Sequence, residues 1–245
     1  MMGSKSKVNK ARRDHATDAA ASTVCIAFIH PGQCSAYFTT SLVGSLLYDR
    51  ATSRRIVNLK NEWSSANVSA SRNSLTQQFL DDTDAEWLWW IDADMAWEPQ
   101  ALDALLEVAD PESAPIVGGL CFGASHDVLW PTVYKWADVD GSLTTVRVAD
   151  YPRDSVVQVA ATGAAFLLIH RSALEKVRDR GFNRTFPWFQ ETELDGKPVG
   201  EDLTFCIRAG LCELPVFVNT GVKVGHHKSH LLTEDLFLAQ HSSKE

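Results

Sequence analysis

Long apolar runs are missing from this 245-residue sequence. The run that ends at Ile91 and the one from Ala164 to Ile169 fall far short of the roughly 20 residues that span a bilayer, so no insertion in a membrane is expected. Paired cysteines are missing too. Cys25, Cys34, Cys121, Cys206 and Cys212 form an odd set without CxxC spacing, which argues against a disulfide framework or structural zinc and for a reducing, cytoplasmic setting. The basic first residues are not followed by the apolar stretch of a secretion signal. No internal repeat and no Gly/Ser linker divides the chain, which favours one domain. Positive charge is scarce outside the first 13 residues, where Lys5, Lys7, Lys10, Arg12 and Arg13 stand without an acid. The net charge of -8 therefore becomes -13 for the remainder. Such an acidic body does not suit a general binder of phosphate backbones, and the basic start reads as a solvated arm able to touch an acidic partner.

What is present suits a folded α/β domain: 45% hydrophobic and 22% charged residues, in a chain long enough to bury its own core. From Val24 onward, strand-like runs alternate with helix-period stretches, which predicts a largely parallel sheet with helices on both faces. Strands are expected at Val24 to Ile29, Ile56 to Leu59, Trp87 to Ile91, Ile116 to Cys121 and Ala164 to Ile169, with helices at Tyr37 to Tyr48 and Val68 to Leu80. Pro99 in a first helical turn with Leu102, Leu105, Leu106 and Ala109 on one stripe predicts another helix. Residues 130 to 160, around Asp140-Gly141, read as a small antiparallel excursion. Ser172 and Glu175 resemble a capping box for a helix closed by Gly181. Residues 182 to 200 read as loop, and a short helix follows from about Glu201 to Ala209. The expected organisation is a basic arm over 1–22, one domain over 23–232 and a partly helical tail over 233–245.

The strand Trp87 to Ile91 delivers two carboxylates, Asp92 and Asp94, at its C-terminal end, where open α/β sheets bind ligands. Separated by Ala93 alone, both can reach one hard cation such as Mg²⁺ or Mn²⁺, and that cation could bridge a diphosphate; equally, both residues suit a turn. Asp202 follows Glu201 at the start of a helix, where it can act as a base or simply favour the helix terminus. It ends an aromatic and acidic stretch that begins at Trp188-Phe189 and includes Glu191, Glu193 and Asp195, as a polyol-binding loop might. His226, His227 and His230 follow a strand and offer nitrogen ligands, His226 foremost. Val68, Arg72, Leu75 and Phe79 share one stripe, so Arg72 faces inward, toward an acid or toward a phosphate.

In their order these pieces resemble the GT-A glycosyltransferases, enzymes with one doubly wound domain that use nucleotide-sugar donors. The resemblance covers about Val24 to His230. It rests on Ile29-His30-Pro31-Gly32 after the first strand, Arg72-Asn73 on a helix, Asp92-Ala93-Asp94, Thr162-Gly163-Ala164-Ala165-Phe166, Glu201-Asp202 and Val224-Gly225-His226. It implies that His30, Pro31, Gly32, Arg72, Asn73, Asp92 and Ala93 contact the nucleotide sugar, a UDP-sugar in the simplest case. By the same resemblance Asp94 and His226, with Asp92, hold Mn²⁺ or Mg²⁺, and Asp202, beside Glu201, deprotonates an acceptor hydroxyl. Gly163, Ala164, Trp188 and Phe189 would line the substrate. Compact single-domain forms of this kind occur in bacteria and phages, with small molecules, proteins or modified DNA bases as acceptors; nucleic acid enters only in that role. The competing expectations are a metal-dependent phosphohydrolase or nucleotidyltransferase, and a non-catalytic nucleotide-sugar-binding module.

Overall fold

The computed structural model describes residues 22–64, 66–125 and 128–228, so His230, the 233–245 tail and nearly all of the basic arm lie outside the described residues. A seven-stranded sheet forms its centre: β1 (Val24–His30), β2 (Ile56–Trp63), β3 (Trp87–Ile91), β4 (Ile116–Leu120), β5 (Val156–Val159), β6 (Phe166–His170) and β7 (Val216–Lys223). Their order is β5-β7-β4-β6-β3-β1-β2. Five strands share one direction; β6, wedged between β4 and β3, and β5, at one edge, run against it. The mostly parallel sheet expected from the alternation is therefore present.

Among the described residues five helices cover both faces: α1 (Ala36–Ala51), α2 (Val68–Asp82), α3 (Ala101–Leu106), α4 (Arg171–Asp179) and α5 (Glu201–Leu211). Because successive strand residues point to opposite faces, each strand feeds two cores. On one face Val24, Ile26 and Trp89 meet Phe38 of α1 and Leu105 of α3. On the other, Cys25, Ala27 and Trp90 meet Phe79 of α2, Leu174 of α4 and Phe205 of α5. Strand β3 is buried throughout, as its apolar sequence requires of a strand flanked by β1 and β6. Trp89 packs edge-on against Phe166 at 5.2 Å, and Trp90 lies 5.8 Å from Phe189.

Local differences from the expectations have local causes. Helix α3 stops at Leu106, short of the stripe, and Pro99 precedes it instead of occupying its first turn. The N-cap of α4 is His170, whose ring accepts from the Ser172 N–H, so Ser172 lies inside the helix and the expected capping box does not form. Val68 is exposed at the start of α2, whereas Arg72, Leu75 and Phe79 are buried as the stripe requires. The antiparallel excursion forms as Val133–Val139 paired with Ser142–Arg147, turning at Asp140 (φ 57°) and Gly141 (φ 81°). A second Asp-Gly turn, Asp195 (φ 48°) and Gly196 (φ 76°), makes a short hairpin of Thr192–Leu194 and Lys197–Val199 where the sequence reads as loop. The Ser142 hydroxyl donates to Asp195 and ties the two hairpin tips together.

Candidate active site

The turn after β3 is fixed by its backbone. The Asp92 N–H donates to the Ala165 carbonyl at 2.8 Å, the Ser35 N–H to the Ala93 carbonyl at 3.0 Å, and the His227 N–H to the Asp94 carbonyl at 2.8 Å. Met95–Ala96 then pairs antiparallel with Gly225–His226, which brings the end of the described chain onto the turn. These contacts open a cavity of about 650 Å³ at the C-terminal ends of β1 and β3. It is lined by His30, Pro31, Ser35, Arg72, Asp92, Ala93, Asp94, His227 and Lys228, among others. Ser35 also caps α1, accepting from the Phe38 N–H, so the positive end of a 16-residue helix faces this space.

Two charged groupings meet here. Arg72 is 4% exposed. Its Nη2 donates to Asp92 Oδ1 at 2.8 Å, and its Nε lies 3.4 Å from Glu201 Oε1, so the guanidinium links the end of β3 to the first turn of α5. The same group lies 4.9 Å from the centre of the Trp90 ring. Both Nε and Nη1 are buried without a hydrogen-bond partner. In the second grouping His226 Nε2 is 2.9 Å and Lys228 Nζ 3.2 Å from Asp94 Oδ2. His226 Nδ1 faces the Phe122 carbonyl at 2.8 Å. Burial alone would lower the histidine's pKa, but the Asp94 and Phe122 oxygens outweigh it and raise the pKa above its ordinary value. Burial likewise raises that of Asp94, yet His226 and Lys228 hold it below the usual carboxylate value.

Asp202 is the second residue of α5, whose N-cap is Gly200, so Asp202 is not the capping residue. Burial, then the adjacent Glu201 charge, push its pKa up to about 6, against the pull of the Leu203 N–H and of Arg72. Gly163 lies beside Asp202, where a Cβ would make ordinary contact with Asp202 Oδ2 at 3.5 Å.

Of the expected site residues, His30, Pro31, Arg72, Asp92, Ala93 and Asp94 line the cavity, and Glu201 and His226 adjoin it through Arg72 and Asp94, whereas Asn73, Ala164, Trp188 and Phe189 are packed inside the fold. Asn73 is buried, with Nδ2 donating to the Ser69 and Phe189 carbonyls, both at 2.6 Å, and Oδ1 accepting from the Trp188 N–H at 3.1 Å. Its amide is spent on the loop before α5 and not on a nucleotide. Trp188 and Phe189 are 1% and 0% exposed, and Ala164 is 2% exposed, so none offers a surface to a sugar. Trp188 Nε1 donates to the Leu174 carbonyl, and Phe189 stacks on Phe205 at 5.0 Å. Gly32 (φ 97°) makes the turn after β1, with Trp63 lying over it. Glu191, Glu193 and Asp195 are exposed around the second hairpin. Of the two adjacent histidines, His226 reaches Asp94, whereas the His227 ring packs 5.2 Å from Tyr37. Lys228 and Ser35 escaped the sequence reading. A lysine directly after two candidate histidines, and a serine opening a helix after the first strand, are the signals that could have found them.

Comparison with solved structures speaks to the fold. The structure of A197 from STIV superposes with a TM-score of 0.54 at 16% identity, over 84% of this chain and 86% of that one. GalNAc-T7, solved with UDP, GalNAc and Mn²⁺, superposes with a TM-score of 0.52 at 12% identity, over 83% of this chain but 43% of GalNAc-T7. The fold is of the GT-A type. A glycosyltransferase involved in glycosylating the major capsid of PBCV-1 is also similar, with a TM-score of 0.36 at 16% identity over 62% of each chain. No protein-family model and no curated protein matches the sequence. Among the described residues no helix is long and apolar enough to cross a membrane.

Proposed function

We propose that this chain is a glycosyltransferase that takes a nucleotide-diphosphate sugar, in the simplest case a UDP-sugar, and transfers the sugar to a hydroxyl acceptor. One observation carries the reading. Arg72, the Asp92-Ala93-Asp94 turn, the N-terminus of α1 and Lys228 all border one cavity, a set of groups suited to a diphosphate.

Among the described residues no group of three or more His, Cys, Asp or Glu side chains is gathered around one point: Asp94 and His226 come together, while Asp92, expected as a third ligand, turns Oδ1 to Arg72. His226 Nδ1 faces a carbonyl, which can only accept, so that nitrogen carries a proton; Nε2 donates to the Asp94 carboxylate and would give up its proton where a cation took that place. A carboxylate oxygen and an imidazole nitrogen drawn together suit Mn²⁺ or Mg²⁺, with diphosphate and water as the remaining ligands. Such an ion, when bound, stabilises the negative charge that develops on the leaving diphosphate.

The chain's own residues supply the rest. Arg72 is fixed by Asp92 and Glu201 and keeps Nη1 free for an anionic oxygen. Lys228 brings a second positive charge to the cavity. Asp202, with its raised pKa, is ionised at pH 7 yet basic enough to accept the acceptor's proton. The GalNAc-T7 likeness supports the fold of such an enzyme, and the UDP and Mn²⁺ in that structure support the choice of donor and ion. Product analysis tests the reaction class with a panel of nucleotide sugars, Mn²⁺ and hydroxyl acceptors. Sugar joined to an acceptor is expected; inorganic phosphate or pyrophosphate as the product would point to the hydrolase or nucleotidyltransferase class.

A further inference from the structure

Strand β2 closes one edge of the sheet and, among the described residues, pairs with β1 alone. The Ser64 N–H, just past its end, donates to the His30 carbonyl and therefore points toward β1. By the alternation of a strand, the backbone groups of Leu59, Asn61 and Trp63 point the other way, off the sheet. Edges of this kind are templates for further pairing unless something guards them. No proline guards this one, and its apolar residues are open: Val57 is 51% exposed, Leu59 41% and Trp63 70%.

We propose that β2 is the interface of a two-fold dimer, in which β2 pairs antiparallel with β2 of a second copy in a register centred on Asn61. The sequence is self-complementary in that register. Leu59, Asn61 and Trp63 share the sheet face of Ile26, Phe28 and His30, so Leu59 of each copy stands opposite Trp63 of the other. On the opposite face Lys60 of each copy stands across from Glu62 of the other, in the closely spaced non-hydrogen-bonded pairs where side chains interact most. Within one chain Lys60 reaches Asp82 and Glu62 accepts from Gln78, contacts that hold both charges near the edge. Sliding the register by two residues, to centre on Lys60, would set Lys60 against Lys60, so charge disfavours that alignment. Outward-facing Leu59, Asn61 and Trp63 supply roughly six backbone hydrogen bonds between the copies. The interface is isologous, as closed dimers require.

Sedimentation equilibrium and light scattering of the full chain over a concentration series test this without reference to activity. The wild-type mass should rise from 27.1 kDa toward twice that value. Lys60→Glu and Glu62→Lys should each weaken the dimer about tenfold or more, since each turns two attractive pairs into repulsive ones. The double variant Lys60→Glu/Glu62→Lys restores opposite charges and should recover dimerisation. Leu59→Lys, on the other face, should also leave a monomer, and thermal melts of each variant establish that it is folded. A wild-type chain that stays monomeric throughout overturns the proposal, as does a dimer that survives the single charge reversals or a folded double variant that fails to recover.

Discussion

Asp202 and Asn73 show how differently two polar side chains can serve one site. Asp202 has its pKa raised from 3.8 to about 6 in the fold, so the folded chain holds its proton more tightly than the unfolded chain does. Its contribution to stability is full below about pH 4 and is lost as pH rises through 6. Asp202→Asn should accordingly stabilise the protein at pH 7, on the order of 2 kcal/mol, and hardly at all at pH 4. Melts at the two pH values read this directly; equal effects at both would contradict the burial argument. The same substitution should lower kcat by about 10²-fold while donor affinity survives, and it should remove an acid limb near pH 6 from the rate profile. A near-wild-type kcat would retire Asp202 as the base. Asn73→Ala, by contrast, strips the loop at Trp188 and Phe189 of its hydrogen bonds and should cost about 2 to 4 kcal/mol in denaturant melts. A raised donor KM with unchanged stability would instead return Asn73 to the nucleotide.

Among the elements, β1, β3 and α2 were the most legible in the sequence, because a period is a repeated signal. Trp87 to Ile91 had to be a doubly buried strand, and Arg72 had to lie inward with Leu75 and Phe79. The first turn of α4 was misread because histidine is an uncommon cap, and Ser172 two residues later mimicked a commoner one. Trp188 and Phe189 were misread for another reason: an aromatic side chain looks the same in sequence whether it meets a sugar or a core. Only the long-range partners Asn73, Leu174 and Phe205 decide the matter. Arg208 of α5 completes that loop, donating from Nη1 to the carbonyls of Phe186, Pro187 and Trp188 and from Nη2 to Gln190. Lysine lacks the planar fork that reaches all four. Arg208→Lys should thus destabilise the fold by roughly 2 kcal/mol, through unsatisfied carbonyls, yet leave donor affinity within about twofold once the protein is folded. Melting and titration calorimetry on one preparation check both halves.

At the scale of the whole molecule, the sheet gathers groups that lie far apart in sequence. Arg72 on α2, Asp92 and Asp94 after β3, Glu201 on α5 and His226 after β7 come together because parallel strands end on the same side. The motif order in the sequence singles out these five residues; the contribution of Lys228 and the helix terminus at Ser35 needed the folded chain. We propose that this junction holds a nucleotide-diphosphate sugar through a divalent cation on Asp94. Thermal-shift measurement of a panel of nucleotide sugars, with Mn²⁺ and with excess EDTA, on wild type and Asp94→Ala tests it most directly. At least one nucleotide sugar should raise Tm in Mn²⁺, and EDTA or Asp94→Ala should abolish the rise. A rise that persists unchanged in EDTA and in Asp94→Ala, or no rise with any nucleotide sugar, would contradict it.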